Sequence, residues 1–127
     1  MFAAGPAAAQ DPPRLPASVT FVTSGGHWQD GPSHGHYRLV VLRADPVSAT
    51  SRLQIEWIEE GARGDVVRES RAATVLADPW TLESPRFLAG GARTTASVAG
   101  SDLASGRQAH WTIRLGPPGR FAISPLR

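Results

Sequence analysis

An all-β domain, two antiparallel sheets packed as a sandwich, is predicted by three features of the chain. Tyr37-Arg38-Leu39-Val40-Val41-Leu42-Arg43, Leu53-Gln54-Ile55-Glu56-Trp57-Ile58 and Ala109-His110-Trp111-Thr112-Ile113-Arg114-Leu115 alternate apolar and polar residues with a period of two. Successive strand side chains point to opposite faces, so each stretch has one buried side: Leu53, Ile55 and Trp57 share a core with Trp111, Ile113 and Leu115, while Gln54, Glu56, His110, Thr112 and Arg114 face water. Turn-forming Gly, Pro, Asp and Ser residues separate such stretches at intervals of roughly 8 to 12 residues, the spacing of a sandwich or small barrel. The 127 residues, 41% hydrophobic and 19% charged, suit one globular domain with its own core.

The first strand is Val19-Thr20-Phe21-Val22-Thr23, β-branched and aromatic, stopped by Ser24-Gly25-Gly26. A polar, Gly-rich loop is expected over 25–35, then a strand over 36–43 that Asp45-Pro46 breaks. The next strand, 52–58, ends at Glu59-Glu60-Gly61 and Arg63-Gly64-Asp65. Segment 66–77 carries Ala, Arg and Glu enough for a helix. Arg68 stands where a capping box would need Glu or Gln, and both ends are β-branched, which favours a strand, ended by Asp78-Pro79. Trp80-Thr81-Leu82 and Arg86-Phe87-Leu88 flank Pro85, as at a sheet edge or a crossing between sheets. Thr94-Thr95-Ala96-Ser97-Val98 is β-prone, 100–106 is a loop, and Gly116-Pro117-Pro118-Gly119 turns the chain from the strand at Ala109 into Phe121-Ala122-Ile123. These elements total about seven to eight strands, an immunoglobulin-like sandwich, with a small β-barrel as the alternative.

Residues 1–16 differ from this domain, which occupies 17–127. Ala7-Ala8-Ala9 offers the small residues of a signal-peptidase site before Gln10-Asp11-Pro12-Pro13, although a basic leader and a full apolar stretch are missing. The segment reads as a signal-peptide remnant with its start codon upstream, or as an Ala/Pro-rich tail. The first reading places the protein in the periplasm or outside the cell, the second in the cytoplasm. No apolar run approaches the roughly 20 residues that span a bilayer.

All 13 basic residues are arginine, against 11 acidic ones, so the net charge is only +2 although the sequence pI is about 10.4. With no Lys and one Tyr, little titrates between His and Arg, and a small arginine excess carries the pI upward. The arginines are dispersed among acids, without the basic run that follows a phosphate backbone, so no nucleic-acid binding is expected. Absence of Cys excludes disulfides, thiolate nucleophiles and zinc-thiolate sites.

Chemistry concentrates in Gly26-His27-Trp28-Gln29-Asp30-Gly31-Pro32-Ser33-His34-Gly35-His36, where three of the four histidines fall within ten positions. His34 and His36, two apart, point the same way on extended backbone, and His27 or Asp30 could complete a zinc or copper site. Gly31, Pro32 and Gly35 argue instead for a solvated loop in which ligands are not preorganised. Of the four tryptophans, Trp57 and Trp111 are in phase with the core. Trp28, with Asp30 beside it, and Trp80 are left to meet a partner or to cap the core. Glu56, Glu59, Glu60 and Glu69 sit on an outer face or in turns, and no nucleophile, base and orienting group are placed together, so no enzyme is expected. The expected function is an exported binding or interaction module of the cell envelope that uses loops or a sheet edge. A His-loop metal-binding protein is the first alternative, and a hydrolase with a loop-borne site the second.

Overall fold

The computed structural model describes residues 17–44, 47, 50–76, 79–89 and 93–126. Val19–Asp30 (β1), Ser33–Arg43 (β2), Ser51–Gly61 (β3) and Gly64–Ala72 (β4) form one antiparallel sheet in chain order. Thr81–Leu82 (β5), Arg86–Leu88 (β6), Thr94–Ser101 (β7), Gln108–Leu115 (β8) and Phe121–Pro125 (β9) form the second, ordered β5-β7-β8-β9 with β6 also on β7. Among the described residues no ladder joins the sheets, so the molecule is a sandwich and not the alternative barrel. Each sheet is wound from consecutive chain. Nor is any helix of the described residues long and apolar enough to cross a membrane.

The two-residue period decides the layers. Tyr37, Leu39 and Val41 of β2 and Leu53, Ile55 and Trp57 of β3 are buried against Ala96, Val98, Trp111, Ile113 and Leu115 of β7 and β8. Trp57 is wholly buried and Trp111 7% exposed, edge-on to half-buried Trp80 with 5.1 Å between ring centroids. Trp80 lies under the Arg107 guanidinium, 5.5 Å from the ring centroid, and so seals this end of the core.

Three stretches differ from or sharpen the sequence expectation. Residues 25–35 are not a loop. β1 runs on to Asp30, β2 starts at Ser33, and only Gly31-Pro32 turns. Gly31 at φ 62° before a proline has the sign pattern of a II′ hairpin turn, and Asp30 pairs with Ser33 across it. Segment 66–77, open between strand and helix, is strand through Ala72 and then a 3-10 turn over Thr74–Leu76 that buries Leu76. Residues 80–88 form an edge strand in two pieces, β5 on Ser101 and Gly100 and β6 on Ser97 to Thr95. Pro85 between them is buried and has no N–H for the ladder, so the edge counts as two strands and the total rises to nine among the described residues. The expected break at Asp45-Pro46, Asp78 and the segment 1–16 lie outside the described residues.

One carbonyl ties the layers together. The Gly116 oxygen, in the turn after β8, accepts the Tyr37 hydroxyl at 2.8 Å and the Trp57 indole N–H at 2.9 Å. Burial thereby leaves neither polar tip unpaired, which for each would cost about 1–3 kcal/mol. Trp57→Ala and Trp111→Ala are each expected to lower the unfolding free energy by roughly 3 to 5 kcal/mol in urea denaturation, as large aromatic deletions from a core do. An unchanged transition would place those rings outside it. Burial also pushes the Tyr37 phenol up to about 12 from 10.0. Its neutral form is the one the fold holds, so this contribution is complete below pH 10 and is lost as pH rises towards 12. Tyr37 is the sole tyrosine and the chain has no Lys. The ultraviolet phenolate band of the folded protein is therefore expected to rise only near pH 12, and a midpoint at 10 would contradict the clamp.

Candidate functional site

At the hairpin end of the first sheet, two bulges break the alternation. β1 carries one residue more than β2 between Gly25↔Tyr37 and Trp28↔Gly35, and Gly26 takes up the difference at φ 69°. The shift turns Trp28 inward and leaves His27 exposed. Trp28 donates its indole N–H to the His36 carbonyl at 2.9 Å. Opposite it Gly35 is buried, and a Cβ there would overlap the Ile58 carbonyl and stand 3.0 Å from the indole. β4 carries the second extra residue, Arg68, between Trp57↔Glu69 and Ile58↔Val67. Out of register, its guanidinium lies 5.6 Å from the Trp28 ring centroid, 3.0 Å from Asp30 and 3.6 Å from Glu59. Trp28 and Asp30, expected to meet a partner, are thus engaged within the fold: Trp28 is 3% exposed and belongs to the core, and Asp30 is exposed but bonded to Arg68.

The outward side chains of β2, beginning at His34 and His36, continue with Arg38, Val40 and Leu42 along one face of the sheet. At its upper end His36 Nδ1 lies 2.7 Å from Glu60 Oε2, His34 Nδ1 3.9 Å from Glu60 Oε1, and the His27 and His34 rings are 6.0 Å apart. The three histidines expected to bind zinc or copper are brought together, on strands instead of a loop, around a carboxylate that the sequence had put in a turn. Among the described residues no group of three or more His, Cys, Asp or Glu is placed to hold a metal ion.

Below the histidines the face is crossed by Arg38 and Glu56, paired across the strands at 2.6 Å, and by the Gln54 amide donating to Ser70 at 2.7 Å. These polar groups border a shallow recess of about 400 Å³ floored by half-buried Val19, Val22, Val40 and Leu42. Arg52 stands at its rim with no carboxylate partner among the described residues. No family model, curated protein or solved structure matches the chain. The chemistry of this face therefore has to be read from its own atoms.

The carboxylates that the sequence put on an outer face or in turns are each ion-paired. Glu56 is held by Arg38, Glu59 by Arg68, Glu60 by His36 and Glu69 by Arg71 at 3.2 Å. His110 is exposed on the outer face of β8 and has Ala99 as its cross-strand neighbour, not a serine or an acid. What the arrangement does offer is an aliphatic floor with a charged rim and an acid-sensitive end. The His36 hydrogen bond holds the Glu60 carboxyl below its usual range, helped by the charges of His36, His34 and His27 and opposed by desolvation. An ionised carboxylate only accepts, so His36 Nδ1 carries the proton. The lowered value makes the contribution of Glu60 complete above the ordinary carboxylate pKa and lost as pH falls through the lowered one. A carbon-detected NMR titration is expected to place the Glu60 midpoint below 4.5, and His36→Ala to return it towards that value. A midpoint at or above 4.5 in the wild type would mean that this pair does not form in solution.

Proposed function

We propose that this protein is an exported, non-catalytic binding module that holds an extended segment of a protein partner across the outer face of its four-stranded sheet. The observation that carries the reading is the recess over Val19, Val22, Val40 and Leu42, with Arg52 uncommitted at its rim. An aliphatic floor inside a polar border is the composition of a recognition surface, where apolar contact supplies the free energy and the border sets orientation. Charge narrows the occupant: Arg38 is neutralised by Glu56 and Arg52 is not, so the fitting segment sets an aliphatic side chain on the floor and a carboxylate against Arg52. The exposed β4 edge is the weaker surface for such a partner, because Asp65, Arg68, Glu69 and Arg71 blunt it against added strands. Export to the envelope is supported by Ala7-Ala8-Ala9.

Selection of a random-peptide display library on the purified protein tests the reading. Enriched peptides are expected to pair an aliphatic with an acidic residue and to lose at least tenfold in affinity on Val40→Glu, which puts a charge on the floor and another beside Glu56. No enrichment, or peptides indifferent to Val40→Glu, would overturn it.

A further inference from the structure

The opposite layer differs in charge. From 79 to 126 the chain has five arginines and two carboxylates, Glu83 and Asp102, whereas 17–76 has six arginines and seven carboxylates. Asp102 is used locally: it accepts from the Ser105 hydroxyl at 2.8 Å and the Ala104 N–H at 3.1 Å, with Arg107 at 3.7 Å. The remaining arginines of the five-stranded sheet face solvent with little to neutralise them.

Three of them meet at one place. Arg114 is on the outer face of β8, between Thr95 of β7 and Ala122 of β9, whose small side chains leave its guanidinium unobstructed. Arg93 immediately precedes Thr94, which pairs with Leu115. Arg120 closes the 116–120 turn, where its carbonyl accepts from the Gly116 N–H at 3.0 Å and its own N–H donates to Pro117 at 2.9 Å. Together they line a recess of about 460 Å³ whose other walls include Leu115, Pro117 and Phe121, and no acidic residue lines it. None of the three has a carboxylate partner among the described residues. Glu69, which approaches the turn at Gly119, is bonded by Arg71.

We infer that this recess is a binding site for a sugar-sized organic oxyanion, independent of the peptide face on the other sheet. Three guanidiniums without counter-charge suit a phosphate or a carboxylate, which each can grip through paired N–H groups. The volume lies within the roughly 300–1,000 Å³ of small-molecule sites, more than a bare anion needs, and the proline and phenylalanine walls give a ring or carbon chain something to lie against. The turn is preorganised as well. The same Gly116 whose N–H is held by Arg120 has its carbonyl fixed by Tyr37 and Trp57, so Arg114 and Arg120 project from backbone anchored to the core.

Isothermal titration with glucose 6-phosphate, glucuronate, glucose and inorganic phosphate tests this. Saturable binding of the sugar phosphate or of glucuronate, but not of glucose, is expected, and which of the two binds identifies the anion. Arg114→Gln and Arg120→Gln should each weaken it at least about tenfold, the size of a lost charge-assisted hydrogen bond. Arg63→Gln, in the β3–β4 turn, and Val40→Glu, on the peptide face, should leave it unchanged, so that this site and the peptide site fail separately. Binding should also weaken as salt rises from about 50 to 300 mM. No binding of either anion, affinity equal to that of inorganic phosphate, or indifference to Arg114→Gln in a variant that melts like the wild type would overturn the assignment.

Discussion

The carbonyl of Gly116 is the constraint on which the two layers depend. It belongs to the second sheet's side of the sandwich, and both its donors come from the first: the phenol of Tyr37 and the indole of Trp57, cross-strand partners on β2 and β3 with rings 6.2 Å apart. A one-residue slip of either strand would turn that side chain to solvent and leave this part-buried oxygen short of a donor. The pair therefore fixes the phase of β2 and β3 together. Everything on the outer face follows from that phase, because Arg38, Val40, Gln54 and Glu56 are outward only while Tyr37, Leu39, Ile55 and Trp57 are inward.

The hairpin end obeys the same rule through its exceptions. Beyond Tyr37 the inner face still has to be closed, and a strand in strict alternation would have presented His27 to Gly35. The extra residue at Gly26 brings Trp28 there instead, and the extra residue at Arg68 lays a cation over the indole and anchors it to Asp30 and Glu59. The two bulges interrupt the ladders locally and serve one buried ring, Trp28, which the first turns inward and the second covers. The by-product is chemical: His27, displaced from the interior, comes within 6.0 Å of the outward-facing His34, which with His36 lies beside Glu60. The position of His27 is a consequence of how the core is closed, and the cluster gives the outer face an acid-sensitive end.

These exceptions also explain what could be read from the amino acids alone. The central strands were legible because β2, β3 and β8 repeat every two residues without interruption, and Trp57 and Trp111 fell in the core as their phase required. The 25–35 stretch was misread because Gly26 shifts the phase at the point where the pattern is richest in Gly, Pro and polar residues, so two arms of a hairpin look like loop. The partnership of Glu60 with His36 spans 24 positions, and that of Tyr37 with Gly116 spans 79. Neither leaves a local mark. A clue was present for Glu60, since carrying the outward phase of Gln54 and Glu56 two steps beyond Ile58 puts it beside His34. The convergence of Arg93, Arg114 and Arg120 has no such clue, because it is created by the pairing of β7, β8 and β9.

The division of charge between the layers gives the small net charge a structural meaning. A net charge of +2 would be a featureless property if the carboxylates were spread as evenly along the chain as the arginines are. They are not: carboxylates outnumber arginines by one in the first sheet's segment and are outnumbered by three in the second's. The two outer faces lie on opposite sides of a core about 10 Å thick, so the path between them through solvent is longer than the screening length of physiological salt, roughly 8 Å. A charged ligand therefore responds to the face it approaches and very little to the one behind. The balanced face, where ion pairs neutralise one another around an aliphatic floor, would on the proposed reading select by shape and apolar contact. The basic face has few carboxylates to neutralise it, and in the recess of Arg93, Arg114 and Arg120 none, which is the charge balance the proposed anion would complete.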